Sequence, residues 1–379
     1  MQQQRRPLVN QIRRDAWVEV NLGNIEHNIK EIKKLLKPKV KILAVVKADS
    51  YGHGSVMSAS TLLASGVHML GVASVDEGLQ LRKGGITAPI LVLGDTPEWA
   101  IESAVQNNIS ISIFTKEHLR VCRYLYEKSN ISPKVHIKIN TGMNRIGVKF
   151  SEAKAFIQNA LNEKSLNVKG IFTHLACAED KNITEQQISK WMEIYNEFKN
   201  EEILFHAANT AAVLSYPDLQ FDMVRVGIGL SGMEPDLPQN TVKSLNLKQV
   251  MGLKARIVHI SEIEKDEGVS YGYSYIADET KKIATIPIGY ADGVSRALSN
   301  KIFGIINGQK VPQIGNITMD QTIIDVTDIK NVKKGDIVTL LGQDEDEFIS
   351  IDEWAKLLNT INYEISCNLK VRLPRIYTR

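Results

Sequence analysis

The sequence predicts an α/β protein: a (β/α)8 TIM-like barrel followed by a mainly β C-terminal domain. Three observations carry this prediction. The 379 residues suffice for two domains, each with its own core. Between residues 40 and 227, eight strand-like apolar runs alternate with helix-like segments, as parallel strands joined by crossovers require. From about residue 250, short β runs separated by turn signals take over.

A polar arm, "MQQQRRPLVNQIRR", comes first. It lacks the apolar segment of a signal peptide, and its pairs Arg5–Arg6 and Arg13–Arg14 read as a solvated tail. "AWVEV" is a short alternating strand outside the eight-fold count, and a candidate to pair with the C-terminal domain. Ile25, Ile29, Ile32 and Leu36 mark one face of a helix. The eight runs are "VKILAVVKA" (40–48), "HMLGVAS" (68–74), "ILVL" (90–93), "ISISIF" (109–114), "KVHIKIN" (134–140), "VKGIFTHL" (168–175), "ILFHA" (203–207) and "FDMVRVG" (221–227). Segments such as "KEHLRVCRYLYEK" and "TEQQISKWMEIYNEFKN" supply the helices between them. Eight units in under 200 residues favour a closed barrel, with a doubly wound sheet as the alternative. The expected domains are 1–248, the barrel, and 249–379, the β domain. In the latter, "KARIVHISEI", "KIATIPIGYA", "FGIINGQKVPQI", "QTIIDVTDI" and "GDIVTLLG" are the β runs, and "SIDEWAKLLNT" is the helix.

Composition narrows the class. With 46 basic and 43 acidic residues interspersed, net charge is +3, which gives little support for nucleic-acid binding. No apolar run approaches membrane-spanning length. Three widely spaced cysteines, Cys122, Cys177 and Cys367, form no redox or metal pattern, so a reduced, cytoplasmic protein is expected.

Barrel active sites lie at the C-terminal strand ends, and here those ends are polar. The first run ends at Lys47. The fifth contains Lys138 and leads to "NTGMNRIG" with Arg145. The sixth ends at His174. The seventh leads to "HAANTAA", where Asn209 and Thr210 open a helix. The eighth carries Arg225, then "VGIG". A hydroxyl and backbone N–H groups at Thr210, with the Gly227–Gly229 turn, suit a phosphate. A lysine facing a phosphate site, without a Walker-type loop, suits a Schiff base to pyridoxal 5′-phosphate (PLP). There is no HExxH, CxxC or carboxylate cluster, so no metal is expected. Each residue also has a plain reading: a frayed-end lysine, a hydrogen-bonded rim histidine, turn glycines, an arginine paired with a barrel carboxylate. Their convergence at one end favours a site.

The motifs "AVVKADSYGHG", "KINTGMNRIGV", "THLACAED", "HAANTAA", "VRVGIGLSG", "VSYGYSY", "IPIGYADG", "TMDQ" and "INYEISC" occur in this order. In this the sequence resembles the alanine racemases, PLP enzymes with a barrel and a C-terminal β domain. The resemblance implies that Lys47 holds PLP and is one of two catalytic bases. It implies that Tyr51, Thr210, Tyr363 and the backbone at Gly227 and Ile228 bind the phosphate, with Asn209 beside them, and that Arg225 faces the pyridine nitrogen. Arg145 would contact the cofactor phenolate and the substrate carboxylate. Tyr271 would be the second base, reaching the neighbouring subunit's site in a homodimer, with His174 tying it to Arg225. Tyr290, Met319 and Asp320 would line the substrate entrance from the partner chain. Lys138 matches a lysine that is carbamylated in many members.

Two bases answer a stereochemical need: a proton leaves one face of Cα and returns to the other. Lys47 would serve the D-enantiomer and Tyr271 the L-enantiomer. Free tyrosine and lysine titrate near about 10 and 10.4, so each needs lowering to act near neutrality. Arg225, permanently cationic, should leave the pyridine nitrogen unprotonated and the ring a weaker electron sink. Some positions depart from the common pattern: Asp49 for asparagine, Thr210 for serine, Asn316 for a frequent arginine, and Thr318 for a smaller residue. The rival readings are a barrel PLP decarboxylase, a PLP-binding protein without amino-acid turnover, and a racemase of serine or other amino acids.

Overall fold

The computed structural model describes residues 14–238 and 245–379. Arg5, Arg6 and Arg13 of the basic arm lie outside the described residues. The chain divides into two compact units. One is Ile25–Lys248; the other joins the described residues up to Asn24 with Gln249–Arg379.

The first unit is the barrel. Its strands are Lys41–Val45, Met69–Val72, Ile90–Val92, Ile109–Ile113, Lys134–Asn140, Asn167–Phe172, Leu204–His206 and Met223–Val226. Each of the first seven pairs in parallel with its neighbour in this order, and the last returns to the first with Met223 opposite Lys41. The remaining seam is crossed by Asp222 N–H donating to Phe205 O (3.1 Å) and Arg225 N–H to Ala208 O (2.9 Å). This ring rules out the doubly wound alternative. The barrel strands are covered on both faces: Ile90–Val92 and Ile109–Ile113 are buried throughout, the latter including Ser110 and Ser112. Leu43, Met69, Leu91 and Met223 pack together. Side chains of Ser74, Thr115, Asp180 and Asn209 cap the helices that begin after them, each satisfying an otherwise orphaned N–H. Of the expected helix face, Ile25, Ile29 and Ile32 are buried, whereas Leu36 lies past the helix, which ends at Lys34.

The second unit is mainly β, a 10-stranded sheet. Ala16–Asn21 belongs here: it pairs antiparallel with Met251–Arg256 and parallel with Arg375–Thr378. The single run "KARIVHISEI" is in fact two strands, Met251–Arg256 and His259–Ile263. They pair with different partners, so the chain changes direction where the hydropathy does not. "FGIINGQKVPQI" is a hairpin, Phe303–Ile306 with Gln309–Ile314, turned by Asn307 and Gly308 at positive φ. Helix Ile351–Leu358 starts with a Ser350–Glu353 capping box. Arg14 corrects the reading of a wholly solvated arm: it grips the fully buried Asp292 carboxylate at 2.5 and 2.6 Å.

Candidate active site

At the C-terminal rim of the barrel, the first strand stops at Val45 and Lys47 is exposed. The apolar run therefore ends before the lysine. The chain then enters a left-handed turn: Ala48, Asp49, Ser50 and Tyr51 have φ of 52°, 53°, 55° and 54°. Such backbone costs about 1–2 kcal/mol per residue and needs external restraint. Glu77 provides it by accepting from the Ala48 and Ala73 N–H groups (2.8 and 2.7 Å). Asp49 accepts from Ser55 N–H at 2.6 Å, a carboxylate at the start of helix Ser55–Ala64. The bond needs only a side-chain oxygen acceptor, which aspartate supplies here as asparagine would.

The turn brings Tyr51 against the last strand's exit. A Cβ added to Gly227 would lie 2.3 Å from the Tyr51 hydroxyl, so a larger residue would displace the Tyr51 ring. Gly227 N–H donates to Thr210 Oγ1 at 3.2 Å. A Cβ on Gly229 would strike the Thr210 methyl at 2.8 Å. Tyr51, Thr210, Gly227 and the 3-10 turn starting at Ile228 thus form one small polar cradle. Asn209 stands beside it, its side chain capping the Thr210 helix through Ala212 N–H.

Arg225 lies in the barrel interior. Its Nη1 donates to His206 Nδ1 (3.0 Å) and His206 O (2.9 Å). Its Nη2 donates to Thr173 O (2.6 Å), Ala207 O (2.9 Å) and His174 Nδ1 (3.2 Å). Among the described residues it has no carboxylate partner, so the plain ion-pair reading of Arg225 fails. Burial pulls its pKa down to about 9, still cationic at neutral pH. An arginine only donates, so both Nδ1 atoms accept. His206 Nε2–H then donates to His136 Nδ1 at 3.0 Å. Burial, then the Arg225 charge, pushes His136 and His174 down to about 3, and His206 falls well below its ordinary value for the same reasons. All three imidazoles are neutral. The tautomer of His174 leaves its second nitrogen protonated.

Lys138 is 5% exposed. Its Nζ donates to Leu93 O at 3.2 Å and sits 5.2 Å from the centre of the Phe172 ring, with Arg225 Cζ at 5.3 Å from the same ring. Burial, then the charges of Arg225, Arg145 and Lys47, lowers its pKa to about 7. Those same cations act on His174, which places Lys47, Lys138, Arg145, His174 and Arg225 in one electrostatic cluster.

Tyr363, Tyr271, Tyr290, Met319 and Asp320 lie in the other unit. Tyr271 is 77% exposed and Met319 and Tyr290 are also exposed. Asp320 pairs with Arg372 at 2.5 Å. Tyr363 is half-buried on helix Asn362–Asn368. Sequence reasoning passed over His136, His206 and Glu77. The first two sit inside runs read only as strands. A histidine at alternating positions within an apolar strand was the available signal.

Residues 20–235 match the family described as alanine racemase, N-terminal domain, and residues 250–377 its C-terminal domain. The chain is 43% identical over 370 residues to the alanine racemase of Nostoc, covering 95% of each chain. It is 40% identical to alanine racemase 2 of Oceanobacillus iheyensis, covering 97% of this chain and 94% of that one. The crystal structure of alanine racemase from Bacillus anthracis with bound L-Ala-P superposes with TM-score 0.89 at 37% identity, over 97% of this chain and 95% of that one. The histidine racemase of Leuconostoc mesenteroides superposes with TM-score 0.88 at 30% identity, over 97% and 99% of the two chains.

Proposed function

The chain belongs to the alanine racemase family, and from that premise we propose that it interconverts L-alanine and D-alanine with PLP, as a cytoplasmic homodimer with shared sites. The observation that carries the reading is the buried, carboxylate-free Arg225 at a rim that also holds Lys47 and the Gly227 cradle. The residues suit PLP: the cradle offers Tyr51, Thr210 and the Gly227–Ile228 backbone to a phosphate, with Asn209 assisting, and Lys47 is an exposed amine for a Schiff base. Bound there, PLP supplies the electron sink that acidifies the α-proton of an amino acid.

The chain's own groups do the rest. Arg225 would present a fixed positive charge to the bound cofactor's pyridine nitrogen and so disfavour its protonation. Arg145 binds the cofactor phenolate and orients the substrate carboxylate. Lys47 exchanges the α-proton on the face used by D-alanine. Tyr271 of the partner subunit does so on the opposite face, used by L-alanine. His174, with Nδ1 occupied by Arg225, presents Nε2–H to that tyrosine. Tyr290, Met319 and Asp320 from the partner chain frame the entrance. Lys138, its pKa pulled down to about 7 by burial and the neighbouring cations, has an unprotonated amine available near neutrality to react with carbon dioxide. The amine bonds to the carbon, a proton leaves, and the carbamate gives Arg145 and Arg225 an anion.

The test monitors circular dichroism of L-alanine with PLP-loaded protein. Decay to zero at constant alanine concentration is expected. A constant signal with alanine, serine and histidine alike overturns the reading. Lys47→Ala and Tyr271→Phe proteins, each depressed by about 10²-fold or more, should regain activity when mixed and exchanged. Absence of rescue after proven subunit exchange refutes the shared site.

A further inference from the structure

The turn that carries Tyr271 cannot hold its own shape. Ser270 sits at φ 64°, ψ −170°, a region essentially confined to glycine. Gly272 and Tyr273 come next at φ 72° and 46°. Backbone of this kind persists only where neighbours over-determine it. Tyr271 is 77% exposed, so packing of its own ring does not supply the restraint. Backbone pairing closes the ends of the turn, with Val269 N–H donating to Tyr275 O at 2.9 Å and Gly268 bridged to Ile276; at Tyr271 itself the restraint comes from Asn316. Ser270 Oγ donates to Asn316 O at 2.7 Å, and Asn316 Nδ2 donates back to Tyr271 O at 2.7 Å. The same segment is anchored beyond: Gly315 N–H donates to Asn300 Oδ1 at 2.6 Å, and Asn300 Nδ2 donates to Ser274 Oγ at 3.1 Å. Two residues on, Thr318 O accepts from Tyr290 N–H and Met319 O from Ala291 N–H, both at 3.0 Å. A Cβ on Gly289 would lie 2.2 Å from Thr318 O, so the two backbones lie in direct contact there. One short segment therefore spaces both tyrosine turns.

We propose that Asn316 is a positioning residue for the second base: its side-chain amide fixes the Tyr271 carbonyl and thereby the direction in which the phenol projects. This rests on the two-base reading above. Asn316 closes a ring with the turn: its backbone carbonyl accepts from Ser270 and its short side chain donates to Tyr271 O.

Asn316→Asp keeps the size but replaces the donor with an oxygen that repels the Tyr271 carbonyl; Asn316→Gln keeps a donor. Amide hydrogen exchange at residues 271–274 should quicken in Asn316→Asp, with barrel amides unchanged. Misplacement by part of an ångström costs on the order of tenfold in rate. The kinetic signature is asymmetric. The primary deuterium isotope effect should rise with α-deuterated L-alanine and fall with α-deuterated D-alanine. In D2O, D-alanine should lose its α-proton to solvent faster than it inverts, because Lys47 still works on its own face. Asn316→Gln should recover part of the rate. Unchanged exchange at 271–274, or a rate loss with unaltered isotope effects, overturns the proposal. Tyr271→Phe run in parallel separates the two failures. If it exchanges the L-alanine α-proton at the parent rate, the two-base reading falls and takes the proposal with it. If only Asn316→Asp behaves like the parent, the proposal alone falls.

Discussion

The barrel rim and the C-terminal unit handle positive charge in opposite ways. In the C-terminal unit, Asp292 is fully buried and gripped by Arg14 and by Arg372 (3.0 Å), and Arg372 continues to Asp320. Charges alternate, and Gly289 N–H adds a further bond to Asp292 at 2.9 Å. In the barrel, Arg225 and Lys138 are both buried but meet carbonyls, neutral imidazoles and an aromatic face. Alternating charge fixes a shape. Buried positive charge without a counter-ion raises the free energy of the chain alone and attracts an anion. The difference separates a charge lattice that fixes local shape from a cationic pocket suited to an anion.

The largest effect should come from breaking the lattice. Asp292→Ala leaves two arginines facing each other and the Gly289 N–H unsatisfied. Loss of one partner from a buried pair costs about 3–5 kcal/mol. A urea unfolding curve of the purified protein should shift by that amount, and racemisation should fall less than stability does. A change within about 0.5 kcal/mol, the range of an ordinary surface substitution, would mean the lattice does not hold the fold.

The barrel should respond with the opposite sign. Lys138→Met removes a buried cation at near-constant volume, and replacing buried charge with well-packed apolar atoms stabilises by about 1–4 kcal/mol. The pH window comes from the depressed pKa, about 7 folded against about 10.4 unfolded. Below pH 7 the lysine is charged in both states and the full burial penalty applies. Between about 7 and 10.4 the unfolded chain binds more protons, so parent stability rises with pH and the advantage of Lys138→Met shrinks. Thermal midpoints in CO2-free buffer at pH 6 and pH 9.5 would show this. A destabilised variant at pH 6 would remove the contrast between the regions.

Legibility in the sequence divides along similar lines. Strands were readable because most are apolar, largely β-branched runs between turn signals; Lys47 and His174 were singled out because they stand where two of those runs end, Arg145 because it follows one, and Arg225 because it is a cation within the last. The left-handed turn at Ala48–Tyr51 was not readable, since none of its four residues is glycine and the restraint comes from Glu77, 29 positions from Ala48. Nor were the roles of His136 and His206. Their function is set by register across strands: Gly170 stands opposite His136, and a Cβ there would meet the imidazole at 2.7 Å. Arg14 looked like part of a solvated tail because its partner Asp292 is 278 residues away.

The smallest effect is also the sharpest test of the imidazole chain. His136 folds with its pKa near 3 against about 6.5 unfolded. Its contribution is complete above pH 6.5 and is lost as pH falls, because only the unfolded chain takes up the proton. Each such histidine adds about 1.4 kcal/mol per pH unit to the slope of stability through that window. His136→Asn retains an acceptor near the Nδ1 position for His206 Nε2–H but cannot titrate. Unfolding free energies measured from pH 4.5 to 6.5 should lose about one proton's worth of slope in His136→Asn, while Arg225 and its carbonyl partners stay in place. An unchanged slope would mean that His136 is already protonated in the folded barrel.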